Sequence, residues 1–213
     1  MTPRKHVIPF LVLLSAALGL VTTPVAQATP PPVADAPPVC DKPFYQDDER
    51  LGPKDLPSES SVVGRLLIGY QRFGNEATSQ DFLARYWDSK GWIYPDHDGF
   101  EGTPTAEKLQ PGKLVDRFGG QSGRFLSTTG TPLVQRSVPP QSLNTCEYEP
   151  GVKQPYGYYQ YKVEKEFEVL AGTSAKGFGQ PGGGPQYKVS SPNPPERRNV
   201  AWLVTNGYLS VVK

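Results

Sequence analysis

The chain has 213 residues, and its 22 Lys and Arg almost balance its 21 Asp and Glu, alongside 24 prolines and 22 glycines. A near-neutral chain without blocks of like charge gives no reason to propose nucleic acid or an anionic membrane as a partner. The length suffices for one domain with a real core, or for a domain with a small appendage.

The first 28 residues predict a secretory signal. Arg4 and Lys5 make a positive start, residues 7–21 are mostly apolar, and Ala26-Gln27-Ala28 supplies the small residues that a signal peptidase needs. A membrane anchor is the weaker alternative, because the run is short for a spanning helix and no second apolar segment follows. Cleavage after Ala28 would leave 20 basic against 21 acidic residues, so we expect a soluble, exported protein of net charge −1.

Two segments follow the signal. Residues 29–39 form a proline-rich leader that we expect to stay extended. Residues 40–91 form an accessory segment, in which an apolar run at 62–70 fits either a strand or a buried helix. A clearer helix begins after a cap at Thr78 or Ser79 and runs towards Gly91. Four large side chains fall on one face of it: Phe82, Leu83, Tyr86 and Trp87.

From residue 92 onward, short segments separated by Gly and Pro predict strands. Val200, Leu203 and Val204 lie at helical spacing, and Asn206-Gly207 ends that helix before a final strand at 208–212. The other predicted strands are 114–115, 124–126, 133–134 and 158–169. The pattern predicts a β-rich α+β domain at 92–213, preceded by a small mixed or helical segment.

The cysteine and histidine content narrows the chemistry. Cys40 and Cys146 are the two cysteines, and in an oxidising compartment one disulfide between them is the simplest arrangement. His97 is the one histidine after the signal, and no G-x-S-x-G motif presents a serine, which argues against a serine triad. Zinc and EF-hand spacings are missing too, and the acids around His97 fit a solvated loop better than a metal site. We therefore predict no metal.

Four motifs occur in an order and spacing that point to a known family. They are GWIYPDHDGF at 91–100, PGKLVDRFGGQSGRFLS at 111–127, GTPLVQRSVPP at 130–140 and FGQPGGGPQY at 178–187. Together they closely resemble the TNT domain, named for tuberculosis necrotizing toxin, a family of NAD⁺ glycohydrolases with an ADP-ribosyltransferase-like fold. With its signal and single domain, the chain looks most like the fungal secreted or conidial-surface members.

The resemblance implies a substrate site built on arginines. Arg117 and Arg136 match the arginine positions of the family motifs. A guanidinium binds phosphate oxygens through charge-assisted bidentate hydrogen bonds. Arg124 is a third candidate near them. The alternative for each arginine is an ion pair with a carboxylate such as Asp116.

Aromatic side chains are implied for the nicotinamide end. Phe118 and Phe125 lie close to Arg117 in sequence and could clamp a planar ring, and an aromatic face attracts the positive charge of nicotinamide. Ordinary core packing is the alternative for either ring, and one of them could do each job.

Gln180 is implied as the catalytic residue together with Arg117. Its amide could hold the ribose hydroxyls or the attacking water while the ribose–nicotinamide bond breaks. Gly182 and Gly183 would then let the loop pass close to the ligand without side chains in the way.

The implied activity is hydrolysis of NAD⁺, and of NADP⁺ as well, by an exported or surface-bound enzyme that needs no cofactor. ADP-ribosyl transfer and a catalytically silent surface protein remain as alternatives, and fungal relatives suggest a homodimer. Two features depart from the family. Tyr159 stands where toxin members carry histidine, and the acid-free segment 201–213 argues against the calcium site of some fungal relatives.

Overall fold

Antiparallel strands make up most of the described chain. The computed structural model describes residues 38–149, 151–190 and 198–212, all within one unit, Pro37–Lys213. The predicted signal peptide and most of the predicted leader lie outside these residues. Within the described ranges, no helix combines the length and the apolar character needed to cross a membrane.

The described strands and helices are short, and most are strands. The strands are β1 Val39–Cys40, β2 Trp87–Asp88, β3 Gly91–Trp92, β4 Phe100–Leu109, β5 Leu114–Phe118, β6 Phe125–Thr128, β7 Cys146–Glu149, β8 Val152–Lys153, β9 Tyr158–Val163, β10 Phe167–Ser174, β11 Pro185–Val189 and β12 Leu209–Val211. The helices are α1 Val62–Leu66, α2 Ser79–Tyr86 and α3 Val200–Thr205.

Seven of the described strands form the main sheet, in the order β12-β9-β5-β6-β11-β10-β4, and every neighbouring pair is antiparallel. A second sheet contains β1, β7 and β8, and β2 pairs with β3. The prediction of a β-rich α+β fold is confirmed.

Side-chain caps explain where the helices begin. Ser61 accepts a hydrogen bond from the Gly64 amide, Thr78 accepts one from Asp81, and Asn199 accepts one from Trp202. The ambiguous run at 62–70 is therefore helical in its first part. The helix capped by Thr78 begins where predicted but ends at Tyr86, short of Gly91, because Trp87 is extended and pairs with β3.

Some predicted strands were wrong, and one observed strand was not predicted. Leu133–Gln135 is a 3₁₀ turn and not a strand. The predicted strand at 158–169 is two strands, β9 and β10, separated by residues 164–166. Strand β4 was not predicted, because most of its residues are polar and exposed, as is common at a sheet edge.

A disulfide ties the start of the described chain to its body. The sulfurs of Cys40 and Cys146 are bonded, as predicted, and the two residues are also register partners in the β1–β7 pair. The bridge spans 106 positions of sequence. It therefore fixes the beginning of the accessory segment beside β7.

The main core lies between the large sheet and α3. Val115 and Leu126 contribute from β5 and β6, and Val200 and Leu203 contribute from the helix. A second cluster contains Leu66, Leu67, Phe118, Leu133 and Leu143, and a third contains Leu51, Phe82 and Phe178. The second and third clusters join the accessory segment to the loops at one end of the sheet.

Leu203→Ala tests how much stability the helix–sheet contact supplies. Leu203 is 1% exposed, and truncating a buried leucine typically costs about 2–5 kcal/mol of the free energy of unfolding. Leu114→Ala is the matched control, because Leu114 is 43% exposed, and we expect its cost to stay below about 1 kcal/mol. Urea denaturation of both variants measures the difference, and equal costs would contradict this description of the core.

Candidate functional site

A cleft of about 430 Å³ lies at the ends of β5 and β6. It brings together five of the residues predicted from the motifs: Arg117, Phe118, Arg124, Phe125 and Arg136. The rest of the lining comes from the loop at 94–99, from residues 137–139 and from Gln186, so residues of all four sequence motifs line the cleft.

Arg117 supplies an unneutralised positive charge. Its Nε donates to the carbonyl of Gly119 at 3.1 Å, and its Nη1 donates to the carbonyl of Phe125 at 3.3 Å. Burial of the guanidinium lowers the pKa of Arg117, although an arginine still remains protonated at neutral pH. Among the described residues, no carboxylate forms an ion pair with it. A desolvated cation facing a cleft favours an anionic ligand.

The loop between β5 and β6 is shaped around Arg117. A Cβ on Gly123 would lie 2.3 Å from Nη2 of Arg117, so this position has no room for a side chain beside the guanidinium. Two hydrogen bonds tie this loop to the start of α3. The Val200 amide donates to the Gly123 carbonyl, and the Ala201 amide donates to the Gln121 carbonyl. The helix thus helps to position the arginine.

Arg136 is placed in the same cleft but is already paired. Its Nη2 lies 2.7 Å from Oδ1 of Asp116, and both side chains are almost fully buried. Its Nε and Nη2 also donate to the carbonyl of Thr131 at 3.0 and 2.6 Å. The ion pair that was the alternative reading for the arginines is therefore present at Arg136. In this structure its charge is balanced by a carboxylate and not left for a ligand.

Asp116 is the centre of that buried network. It accepts hydrogen bonds from the Tyr158 hydroxyl at 2.8 Å and from the Gly130 amide at 3.1 Å. Burial raises the pKa of Asp116, while Arg136 and these donors act in the opposite direction. The network fixes the turn at 130–136 against β5 and thereby holds one wall of the cleft.

The two phenylalanines have different environments. Phe118 is 4% exposed, lies 5.1 Å from the Tyr158 ring and has the Arg136 guanidinium 5.2 Å from its centroid. Phe125 is 38% exposed at the cleft. Phe118 accordingly packs in the core, whereas Phe125 exposes part of its ring in the cleft, and its contact with nicotinamide stays a prediction.

One nitrogen of the Arg124 guanidinium is hydrogen-bonded, and another is not. Its Nη2 donates to the Val189 carbonyl at 2.7 Å. Its Nε is buried and has no hydrogen-bond partner among the described residues. Because Arg124 lines the cleft, it stays a candidate for contact with a ligand through the part of its guanidinium that is accessible.

Gln180 lies outside this cleft, in an adjoining cavity of about 920 Å³. That cavity is lined by the loop at 176–181 and by residues between 69 and 86 of the accessory segment. Tyr94 and Pro95 line both cavities, so they form the boundary that the two share. The structure therefore places the two predicted catalytic residues, Arg117 and Gln180, on either side of Tyr94.

Sequence reasoning did not single out Tyr94. Tyr94 is 60% exposed. Partial burial of its hydroxyl raises the pKa of Tyr94, while the nearby positive charge of Arg117 acts in the opposite direction. The available signal was its place in the first motif, GWIYPDHDGF, where an aromatic residue precedes proline.

The glycines of the last motif contact the chain's own backbone. A Cβ on Gly182 would lie 2.4 Å from the Ala175 carbonyl, and its amide donates to Val134 at 3.2 Å. The Gly183 amide donates to Ser174 at 2.7 Å. Both glycines have positive φ, +73° and +90°. The described contacts explain why glycine is required in this hairpin, while the predicted closeness of Gly182 and Gly183 to a ligand stays a prediction.

Potential metal ligands are scattered. Within the part of the chain that the structure describes, no group of three or more His, Cys, Asp or Glu side chains could hold a metal ion. The charge of the cleft comes from arginine.

A family model and a curated relative both match this chain. The model of the family "tuberculosis necrotizing toxin" matches residues 108–212. The chain is 36% identical over 173 residues to the conidial surface nicotinamide adenine dinucleotide glycohydrolase nadA of Aspergillus fumigatus, which covers 76% of this chain and 68% of that protein.

A solved structure supports the same fold. Tuberculosis necrotizing toxin, in complex with its immunity factor, superposes with a TM-score of 0.54 and 22% sequence identity. The superposition covers 70% of this chain and 81% of that chain. At this level of identity the likeness is one of fold.

Gly123→Ala tests whether Arg117 is the anion-binding group. The added methyl would displace the flexible end of Arg117, so we expect little change in stability but about a tenfold or greater loss of affinity for pyrophosphate, as when a charge-assisted contact is lost. Isothermal titration calorimetry measures the affinity.

Gly102→Ala is the control for that measurement. Gly102 has φ +79° and open space around its Cβ position, so the substitution strains the backbone but contacts nothing within 4 Å. We expect it to lower stability and leave pyrophosphate affinity unchanged. Unchanged affinity in Gly123→Ala would contradict the role given to Arg117.

Proposed function

The chain belongs to the tuberculosis necrotizing toxin family, and from that premise we propose that it is an NAD⁺ glycohydrolase. Such an enzyme hydrolyses the bond between ribose and nicotinamide and releases ADP-ribose; we include NADP⁺ as a substrate. The observation that carries the proposal is the half-buried guanidinium of Arg117, which lines a cleft and has no carboxylate partner among the described residues.

Arg117 binds the pyrophosphate of the substrate. Two negative charges on adjacent phosphates match a guanidinium whose charge is not neutralised, and the low-polarity surroundings strengthen the attraction. Arg124 also lines the cleft, and its guanidinium adds a second positive charge there. Arg136 supports the site indirectly, because its ion pair with Asp116 holds the wall of the cleft in place.

Phe125 holds the nicotinamide. Its exposed ring lies at the cleft beside Arg117, and the face of an aromatic ring attracts a positively charged heterocycle. That attraction weakens when the bond breaks, because nicotinamide leaves as a neutral molecule. The ring therefore binds the substrate more tightly than the leaving group.

Gln180 acts at the reactive ribose. The bond between C1′ and the nicotinamide nitrogen breaks with its electron pair on nitrogen, and a water oxygen bonds to C1′ and loses a proton to solvent. An amide oxygen can accept a hydrogen bond from that water or from a ribose hydroxyl, which orients the reactants without a strong acid or base. No cofactor takes part in this scheme.

The substrate must cross the boundary at Tyr94. With the pyrophosphate at Arg117 and the nicotinamide against Phe125, the ribose between them faces Tyr94 and Pro95, which line both cavities, and must reach past them to Gln180. Tyr94 is exposed, so rotation of its side chain opens the passage.

We also propose that the protein is exported and acts at the cell surface or outside the cell. The signal sequence predicted at residues 1–28 and the conidial-surface location in the name of the Aspergillus fumigatus relative support this location. A homodimer is the assembly that we expect.

The activity is tested by incubating residues 29–213, made through a secretory route, with NAD⁺ in the presence of EDTA. Equal amounts of nicotinamide and ADP-ribose are the expected products. With NAD⁺ labelled in the adenosine part, label transferred to protein would indicate ADP-ribosyl transfer. Intact NAD⁺ with a folded protein would instead support a silent surface protein and overturn the proposal.

Gln180→Ala should lower kcat by about 10²–10³, the usual cost of losing one preorganised polar contact at a reacting centre. Gln110→Ala is the matched control, since Gln110 is exposed in the turn between β4 and β5. We expect its kcat to equal that of the wild type. Full activity in a folded Gln180→Ala variant would remove Gln180 from the mechanism.

A further inference from the structure

We propose that residues of the accessory segment, Gly74 and Tyr86 with the carbonyl of Gln71, are positioning residues for Gln180. They lie before residue 108, where the match to the family model begins. The proposal rests on the proposed function, because it assigns these residues to the same reaction. Three consecutive residues of the last motif, Phe178, Gly179 and Gln180, are each held by this segment.

Phe178 is held by an aromatic cluster. Its backbone has φ +53°, which is unfavourable for a phenylalanine and needs compensation from its surroundings. The side chain is 1% exposed, and its ring lies 5.5 Å from the rings of Tyr86 and Trp92. Tyr86 belongs to α2, so the helix of the accessory segment stabilises the unusual conformation that directs the chain into Gln180.

Gly179 is held by direct backbone contact. A Cβ on Gly74 would lie 2.2 Å from the Gly179 carbonyl oxygen, and a Cβ on Gly179 would lie 2.8 Å from the Gly74 Cα. Neither residue leaves room for a side chain on the other. The Gly179 amide also donates to the Tyr86 hydroxyl at 3.1 Å. The two loops are therefore fitted together immediately before Gln180.

Gln180 is held through its amide nitrogen. Nε2 donates to the Gln71 carbonyl at 2.7 Å and to the Phe178 carbonyl at 3.3 Å. Two carbonyl partners require the nitrogen on this side, because a carbonyl oxygen only accepts hydrogen bonds. Oε1 must then point the other way. None of the described residues donates a hydrogen bond to Oε1, so this oxygen is left for the water or the ribose hydroxyl of the reaction.

The accessory segment thus sets both the position and the orientation of the reacting amide. Without the Gln71 carbonyl, the amide could turn over and present nitrogen where oxygen is needed. A shift of the Gly74 loop would move the whole amide. Either change should act on kcat more than on KM, because the pyrophosphate contacts at Arg117 lie in the other cavity.

Gly74→Ala tests the fit of the two loops. The methyl cannot be accommodated without moving Gly179, and a displacement of about 1 Å at a reacting group costs about 10²-fold in rate. We expect that loss in kcat with KM for NAD⁺ within about twofold of the wild type. Gly102→Ala again serves as control, because it carries similar backbone strain, φ +79° against +58°, in open space.

Tyr86→Phe is a gentler variant that keeps the ring packing. It removes the acceptor of the Gly179 amide, and losing one such hydrogen bond should lower kcat by about five- to tenfold. Tyr45→Phe is the matched control. Tyr45 belongs to the same aromatic cluster, and its hydroxyl makes no hydrogen bond to a described residue.

Hydrogen–deuterium exchange gives a readout that is independent of activity. We expect faster exchange of the peptide covering residues 177–181 in Gly74→Ala and Tyr86→Phe, with unchanged exchange in β5 and β9. Faster exchange everywhere would mean general destabilisation and would overturn the positioning role. Unchanged kcat and exchange in both folded variants would overturn it as well.

The two proposals fail in different ways. A wild-type protein without NAD⁺ hydrolysis would contradict the proposed function, while selective exchange at 177–181 would still support the contact between the segment and the loop. Full NAD⁺ hydrolysis by the wild type and by both variants would contradict the positioning proposal and leave the function standing.

Discussion

The ion pair between Asp116 and Arg136, with a nitrogen–oxygen distance of 2.7 Å, decides which arginine is left to meet a ligand. Asp116 is adjacent to Arg117 in sequence, but successive residues of a strand point to opposite faces of the sheet. Its carboxylate therefore neutralises Arg136 across the turn at 130–136 and leaves Arg117 positive. The same pair fixes the wall of the cleft, so charge and shape both depend on it.

The second half of the site depends on contacts between distant parts of the chain. Gln180 takes its orientation from Gln71, which is 109 positions away in sequence. The loop that frames Arg117 is held by α3, and the Cys40–Cys146 bridge fixes the start of the accessory segment. The preorganisation that a neutral amide needs for catalysis thus comes from the whole described fold.

Local sequence patterns predicted the fold class and the helix starts, because cap residues such as Thr78 act locally, whereas the resemblance to the family supplied the residues that gather in the cleft. It could not assign different roles to Arg117 and Arg136, since that difference depends on which face of β5 meets the following turn. It also missed β4, whose exposed polar residues show no alternation, and misassigned Leu133–Gln135, whose carbonyls serve the glycine hairpin.

A crystal structure of the Gln180→Ala variant with NAD⁺ bound would test the central claim most directly. We predict pyrophosphate oxygens within hydrogen-bonding distance of the Arg117 guanidinium, with the Asp116–Arg136 pair still formed and the nicotinamide ring against Phe125. The claim would be contradicted by a pyrophosphate bound away from Arg117, or by an Arg136 that had left Asp116 to bind the phosphates in its place.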